Sequence, residues 1–80
     1  MVIYIETKYI IQIANRYWLS EDHKPLEVLL YEIRLSDLIS KKVLTERLVH
    51  KDEILSHVKD ILPVYYNQIK NQIKQEFNLN

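Results

Sequence analysis

The sequence contains no glycine and no cysteine. At an average usage of about 7%, a chain of this size would carry about five or six glycines. Most loops that cradle phosphate need a backbone without Cβ where the ligand approaches, so most of them are ruled out here. Tight two-residue hairpins draw on glycine or asparagine at positive φ, so the same absence argues for helix over a hairpin-rich sheet. Without cysteine there is no disulfide framework, no thiolate metal site and no cysteine nucleophile. That fits a reducing compartment, and the cytoplasm is the expected location. An excess of one charge sign is also missing. The 80 residues hold 11 basic and 11 acidic side chains, for a net charge of zero. The sequence-independent attraction of a basic protein for nucleic acid or anionic lipid is therefore absent. The apolar opening Met1–Ile5 stops at Glu6. It is shorter than a signal peptide's apolar region and far short of the roughly 20 residues of a membrane span. No membrane partner is expected.

What is present is a set of apolar stripes. Val2–Ile5 is β-branched or aromatic at nearly every position and reads as a short strand or extended arm. From Thr7 the spacing of Ile10, Ile13, Ala14 and Tyr17 follows the helical i, i+3, i+4, i+7 rule, which predicts a helix to about Leu19. Ser20–Lys24 is a polar loop containing His23, closed by Pro25, a residue suited to a first helical turn. Leu26, Leu29, Leu30 and Ile33 then share a face, predicting helical character to about Leu48 with a kink or restart near Ser36. Asp52 is a candidate N-cap for a further helix whose stripe runs from Ile54 to Phe77. Pro63 falls inside that stripe, so a kink or a break is expected there rather than a straight rod. The expected fold is all-α, a single helical domain over residues 1–80 built as a bundle of three to four helices, with a short extended N-terminus.

Leu55, Val58, Leu62, Tyr65 and Ile69 alternate three and four apart, the seam spacing of a coiled coil. Packing against the chain's own helices is the commoner use of such a stripe. As the marginal core of a short bundle favours self-association, these five residues are also the candidate interface.

Chemistry is sparse. His50, Glu53 and His57 would share one helix face, but His50 and His57 would stand about 10.5 Å apart, too far for metal bonds near 2 Å. Solvated histidines explain the pattern, and no metal, cofactor or catalytic residue is assigned. The serines and threonines follow no nucleophile elbow, which needs flanking glycines. Trp18, Tyr65 and Tyr66 would serve as base-stacking platforms only with cations beside them, and read instead as core or interface aromatics. Lys70, Lys74, Asn67 and Asn71 form a polar C-terminal face, ordinarily solvated and at most a nucleic-acid contact.

Two stretches resemble known families. Lys24-Pro25-Leu26-Glu27-Val28-Leu29-Leu30-Tyr31-Glu32-Ile33, with Ser36, Leu38 and the upstream Ala14-Asn15-Arg16-Tyr17, resembles the omega subunit of bacterial RNA polymerase and its archaeal counterpart. The resemblance implies a non-catalytic helical subunit that helps assemble the largest polymerase chain. Leu29, Ser36 and Tyr17 stand where that family has small residues. Val2-Ile3-Tyr4-Ile5-Glu6-Thr7 is similar to the first strand of PIN-type nucleases, which implies Glu6 as an acidic ligand of a magnesium site, with Lys8 in place of asparagine. Hard-cation catalysis needs several convergent carboxylates, so a degenerate or truncated relative is what this similarity implies. The expected function is non-catalytic, exercised through a protein partner or self-association as an accessory or regulatory subunit. The alternatives are the nuclease remnant and a small helical nucleic-acid binder.

Overall fold

The computed structural model describes residues 1–16 and 30–79. Four strands come first: β1 (Val2–Ile5), β2 (Tyr9–Arg16), β3 (Leu30–Asp37) and β4 (Val43–Val49). They form one antiparallel sheet in the order β1-β2-β3-β4. Helices α1 (Ile54–Ile61) and α2 (Tyr66–Phe77) follow. The all-α expectation is thereby overturned: the fold is α+β, with the described helices in the C-terminal part. The expected helix over Thr7–Leu19 is β2 through Arg16, and the one expected to Leu48 is β3 and β4 from Leu30 onward. Tyr17–Leu29, including Trp18, His23, Pro25 and the Lys24–Leu29 part of the omega-like motif, lies outside the described residues.

The physical reason lies in side-chain type and period. Tyr31, Ile33 and Leu35 alternate with Glu32, Arg34 and Ser36, and the register places Ile33 against Ile13 and Leu35 against Ile11. A period of two puts one set on each face of a strand. In β2 the contiguous Ile10-Ile11 and nearby Ile13 satisfy both a helical stripe and a strand. β-branched side chains lose χ1 freedom in a helix and pack well on a pleated surface. Once β3 is extended, β2 gains a partner along its whole length, with pairs from Tyr9↔Asp37 to Arg16↔Leu30.

The turns show how a chain without glycine makes hairpins. Glu6 (φ 51°) and Lys41 (φ 66°) take the left-handed conformation in the β1–β2 and β3–β4 turns. Asp37 stabilises the second turn: its carboxylate accepts the N–H groups of Ile39 at 2.9 Å and Ser40 at 2.8 Å. The Ser40 amide, and after it that of Ile39, holds the Asp37 carboxyl below its ordinary pKa. A side chain with Cβ pays about 1 kcal/mol or more for this backbone geometry. Lys41→Gly is therefore expected to raise stability by about 0.5–1 kcal/mol in urea unfolding. Lys42→Gly, which introduces no relief, is expected to lower it. The opposite order would contradict the turn geometry.

Beyond β4 the chain makes a short helical turn at Lys51–Glu53 before α1. The expected Asp52 cap is not used. The Glu53 carboxylate instead accepts the His50 N–H at 3.1 Å. Pro63 lies in the four-residue link between α1 and α2, so its missing N–H interrupts no helical bond. Leu62 N–H still closes α1 by donating to the Val58 carbonyl at 2.9 Å. Asn78, left-handed at φ 56°, ends α2, with Leu79 N–H donating to the Lys74 carbonyl at 2.8 Å, the arrangement of a Schellman motif.

One hydrophobic cluster joins the sheet to both helices. Ile11, Ile13 and Ile33 from the sheet meet Ile54, Val58 and Ile73 from the helices, all essentially without exposure. Tyr31 stacks edge-on against Phe77 at 5.3 Å, and Tyr9 against Tyr65 at 6.2 Å, pinning α2 and the inter-helix link to the sheet.

Candidate docking surface

Helices cover one face of the sheet, and among the described residues no element covers the opposite face. The strand register assembles that open face row by row. Tyr4, Ile10, Ser36 and Val43 form one row. Val2, Gln12, Arg34 and Glu46 form the next. Ala14, Glu32 and Leu48 follow, and Arg16 and Leu30 close the face. Tyr4 is 65% exposed and Leu48 41%, and Val2 and Val43 are exposed to a similar degree. Isolated exposed apolar residues are ordinary, but several gathered on one sheet face mark a contact surface.

Charges occupy the middle of this face as a chain of ion pairs. Arg16 Nε donates to Glu32 Oε2 at 2.6 Å, and Arg34 Nη2 donates to Glu32 Oε1 at 2.9 Å. Arg34 Nη2 also reaches Glu46 Oε1 at 3.2 Å. The Arg16 hydrogen bond, with the nearby positive charge of Arg34, holds the Glu32 carboxyl below its ordinary pKa. Arg34 is pushed up in turn, first by Glu46 and then by Glu32. Arg16, Arg34 and Glu46 stay in contact with solvent, and Glu32 alone is largely covered, at 13% exposed. The pairs therefore contribute about 0–1 kcal/mol each and mainly set the charge pattern. Among the described residues the ladder sums to zero, with two cations and two anions. It offers neither a cationic track for phosphate nor a convergent set of free carboxylates for a metal.

The candidate residues named from sequence fall elsewhere. Val58, Leu62 and Ile69 are buried in the core, with Leu55 and Tyr65 half-buried against it. His50 and His57 do not share a helix face: His50 precedes the helical turn and is exposed, whereas His57 on α1 is buried. No group of three or more metal-ligating side chains converges among the described residues. Glu6 sits in the turn after β1, an edge strand of an antiparallel sheet rather than a member of the parallel sheet that the nuclease similarity implied. The helix implied by the omega resemblance is β3 over Leu30–Asp37. Tyr66 is flanked by Lys59 and Lys70, each with Nζ about 6 Å from the ring centre (5.9 and 6.0 Å).

Sequence reasoning missed the open face altogether. Its signal was Glu32 and Arg34 set between Tyr31, Ile33 and Leu35, a polar–apolar alternation that marks a strand with one face away from the core. No helix among the described residues is long and apolar enough to cross a membrane. Compared with protein-family models, curated proteins and solved structures, the chain matches none.

Proposed function

We propose that this chain is a non-catalytic binding protein of the cytoplasm that acts through protein–protein contact, and that the open sheet face makes the contact. The observation that carries this reading is the exposure of Tyr4, Val2, Val43 and Leu48 around a self-neutralised ion ladder. Apolar and aromatic surface supplies the affinity of a protein contact, and a polar pattern supplies its orientation. Nucleic-acid binding draws on Lys59, Lys70 and Lys74 beside the exposed amides Asn67, Gln68, Asn71 and Gln72 of the helical side. Zero net charge gives that alternative little phosphate attraction.

Tyr4→Lys keeps an exposed position exposed and leaves the core intact. In capture experiments from the native host, it is expected to remove the proteins retained by the unaltered chain, while Val64→Lys on the helical side retains them. Loss with Val64→Lys and retention with Tyr4→Lys would place the contact on the wrong side of the molecule for this reading.

A further inference from the structure

Building on the docking reading above, we propose that the occupant of the open face is a second copy of this chain, related by a two-fold axis that crosses the strands between Glu32 and Arg34. A two-fold interface uses the same patch on both copies, so the patch must complement itself. Glu32 and Arg34 are two residues apart on β3, an interior strand of the sheet. An axis across the strands at their midpoint brings Glu32 over the partner's Arg34 and Arg34 over the partner's Glu32. An axis running along β3 would stack like charges instead. The same crosswise operation lays Gln12 over the partner's Ala14 and Glu46 beside the partner's Leu48, so no unneutralised charge is enclosed. Glu46 remains paired with Arg34 of its own chain.

Area decides how strong such a dimer is. The strands hold four, eight, eight and seven residues; at about 3.3 Å per residue and about 4.8 Å between strands, the face is roughly 430 Å². Two such faces bury at most about 850 Å², below the roughly 1,200 Å² of a stable specific interface and in the range of weak, transient contacts. The dimer is therefore weak and concentration-dependent, with dissociation in the micromolar range or above. Stacked sheets pack about 10 Å apart, which leaves room for the arginine and glutamate side chains between them.

Sedimentation velocity from about 5 µM to about 1 mM tests this directly. The average mass is expected to rise from 9.7 kDa toward twice that value. Leu48→Asp, which sets a carboxylate beside the partner's Glu46, is expected to raise the dissociation constant at least about tenfold, about 1.4 kcal/mol. Val64→Lys, at an 80% exposed position on the other side, should leave it unchanged. Arg34→Glu and Glu32→Arg chains, checked for folding by circular dichroism, should each be monomeric alone, because the two-fold then opposes like charges. Mixed together they should associate, because every facing pair is then opposite in sign.

A monomer at every concentration overturns the second copy, and the docking reading then stands or falls on the capture experiment. A dimer unmoved by Leu48→Asp overturns the second copy on the open face, and the docking reading again stands or falls on the capture experiment. A dimer that is sensitive to Leu48→Asp, but whose charge variants fail to associate when mixed, overturns the two-fold arrangement while the docking face survives. If the charge variants do not fold, Leu48→Asp still decides the outcome.

Discussion

Leu62→Asp is expected to leave the chain largely unfolded at 25 °C. Leu62 is 4% exposed and belongs to the cluster formed by Ile54, Val58, Ile69 and Ile73 with the sheet. Its removal forfeits about 1.5–3 kcal/mol of apolar burial. The carboxylate that replaces it has no cation within the cluster. An unpaired buried charge adds several kcal/mol, or forces the group to stay protonated at a similar cost. A domain of this size has about 4–12 kcal/mol of total stability, so the combined loss consumes most or all of it. Far-ultraviolet circular dichroism and urea unfolding would check this. A folded variant within about 1 kcal/mol of the parent would mean that the Leu55–Ile69 stripe faces outward and that the core is misassigned. Leu48→Asp supplies the contrast. The same charge placed on the open face is expected to cost less than about 1 kcal/mol of stability, since the side chain stays in water.

That contrast separates what was legible in the sequence from what was not. The C-terminal helices were readable, because Ile54, Val58, Ile69 and Ile73 carry helical spacing and Pro63 marks a boundary by removing one donor. The Leu55–Ile69 stripe was readable as a stripe, but spacing alone does not say whether it packs inward or outward. The sheet was hidden by two things. Ile10, Ile11 and Ile13 fit a helix as well as a strand over so short a run, and only the pairing of β2 with β3 resolves them. Glycine-free turns were the other, since the left-handed positions fell to Glu6 and Lys41, whose side chains give no turn signal. The strict alternation from Tyr31 to Ser36 was the decisive clue, outweighed by leucines at helical spacing just upstream. The ion ladder could not be found before the register was known. Arg16, Glu32, Arg34 and Glu46 become neighbours only when three strands lie side by side.

Acid should weaken this fold in two separable stages, and the first belongs to His57. The imidazole is 8% exposed, and its Nε2 is buried without a hydrogen-bond partner. Its pKa is lowered from the ordinary 6.5, chiefly by burial and then by the positive charge of Arg47, against smaller opposing effects from Asp60 and Glu53. Because the folded pKa lies below the unfolded one, the unfolded chain binds the extra proton first as pH falls. Stability is then full above about pH 6.5 and declines below it, by at most about 1.4 kcal/mol per pH unit, until the folded pKa is reached. Glu32 and Asp37 are also lowered, so their contribution is lost only further down, below the ordinary carboxylate range. His57→Leu removes both the orphaned nitrogen and the titration. It is expected to raise stability at pH 7 by about 1 kcal/mol and to flatten the profile in the interval just below pH 6.5. Urea midpoints measured across that interval decide the matter. A parent profile already flat there, or an unchanged slope in His57→Leu, would show that the imidazole is solvated and that α1 does not seal it against the sheet.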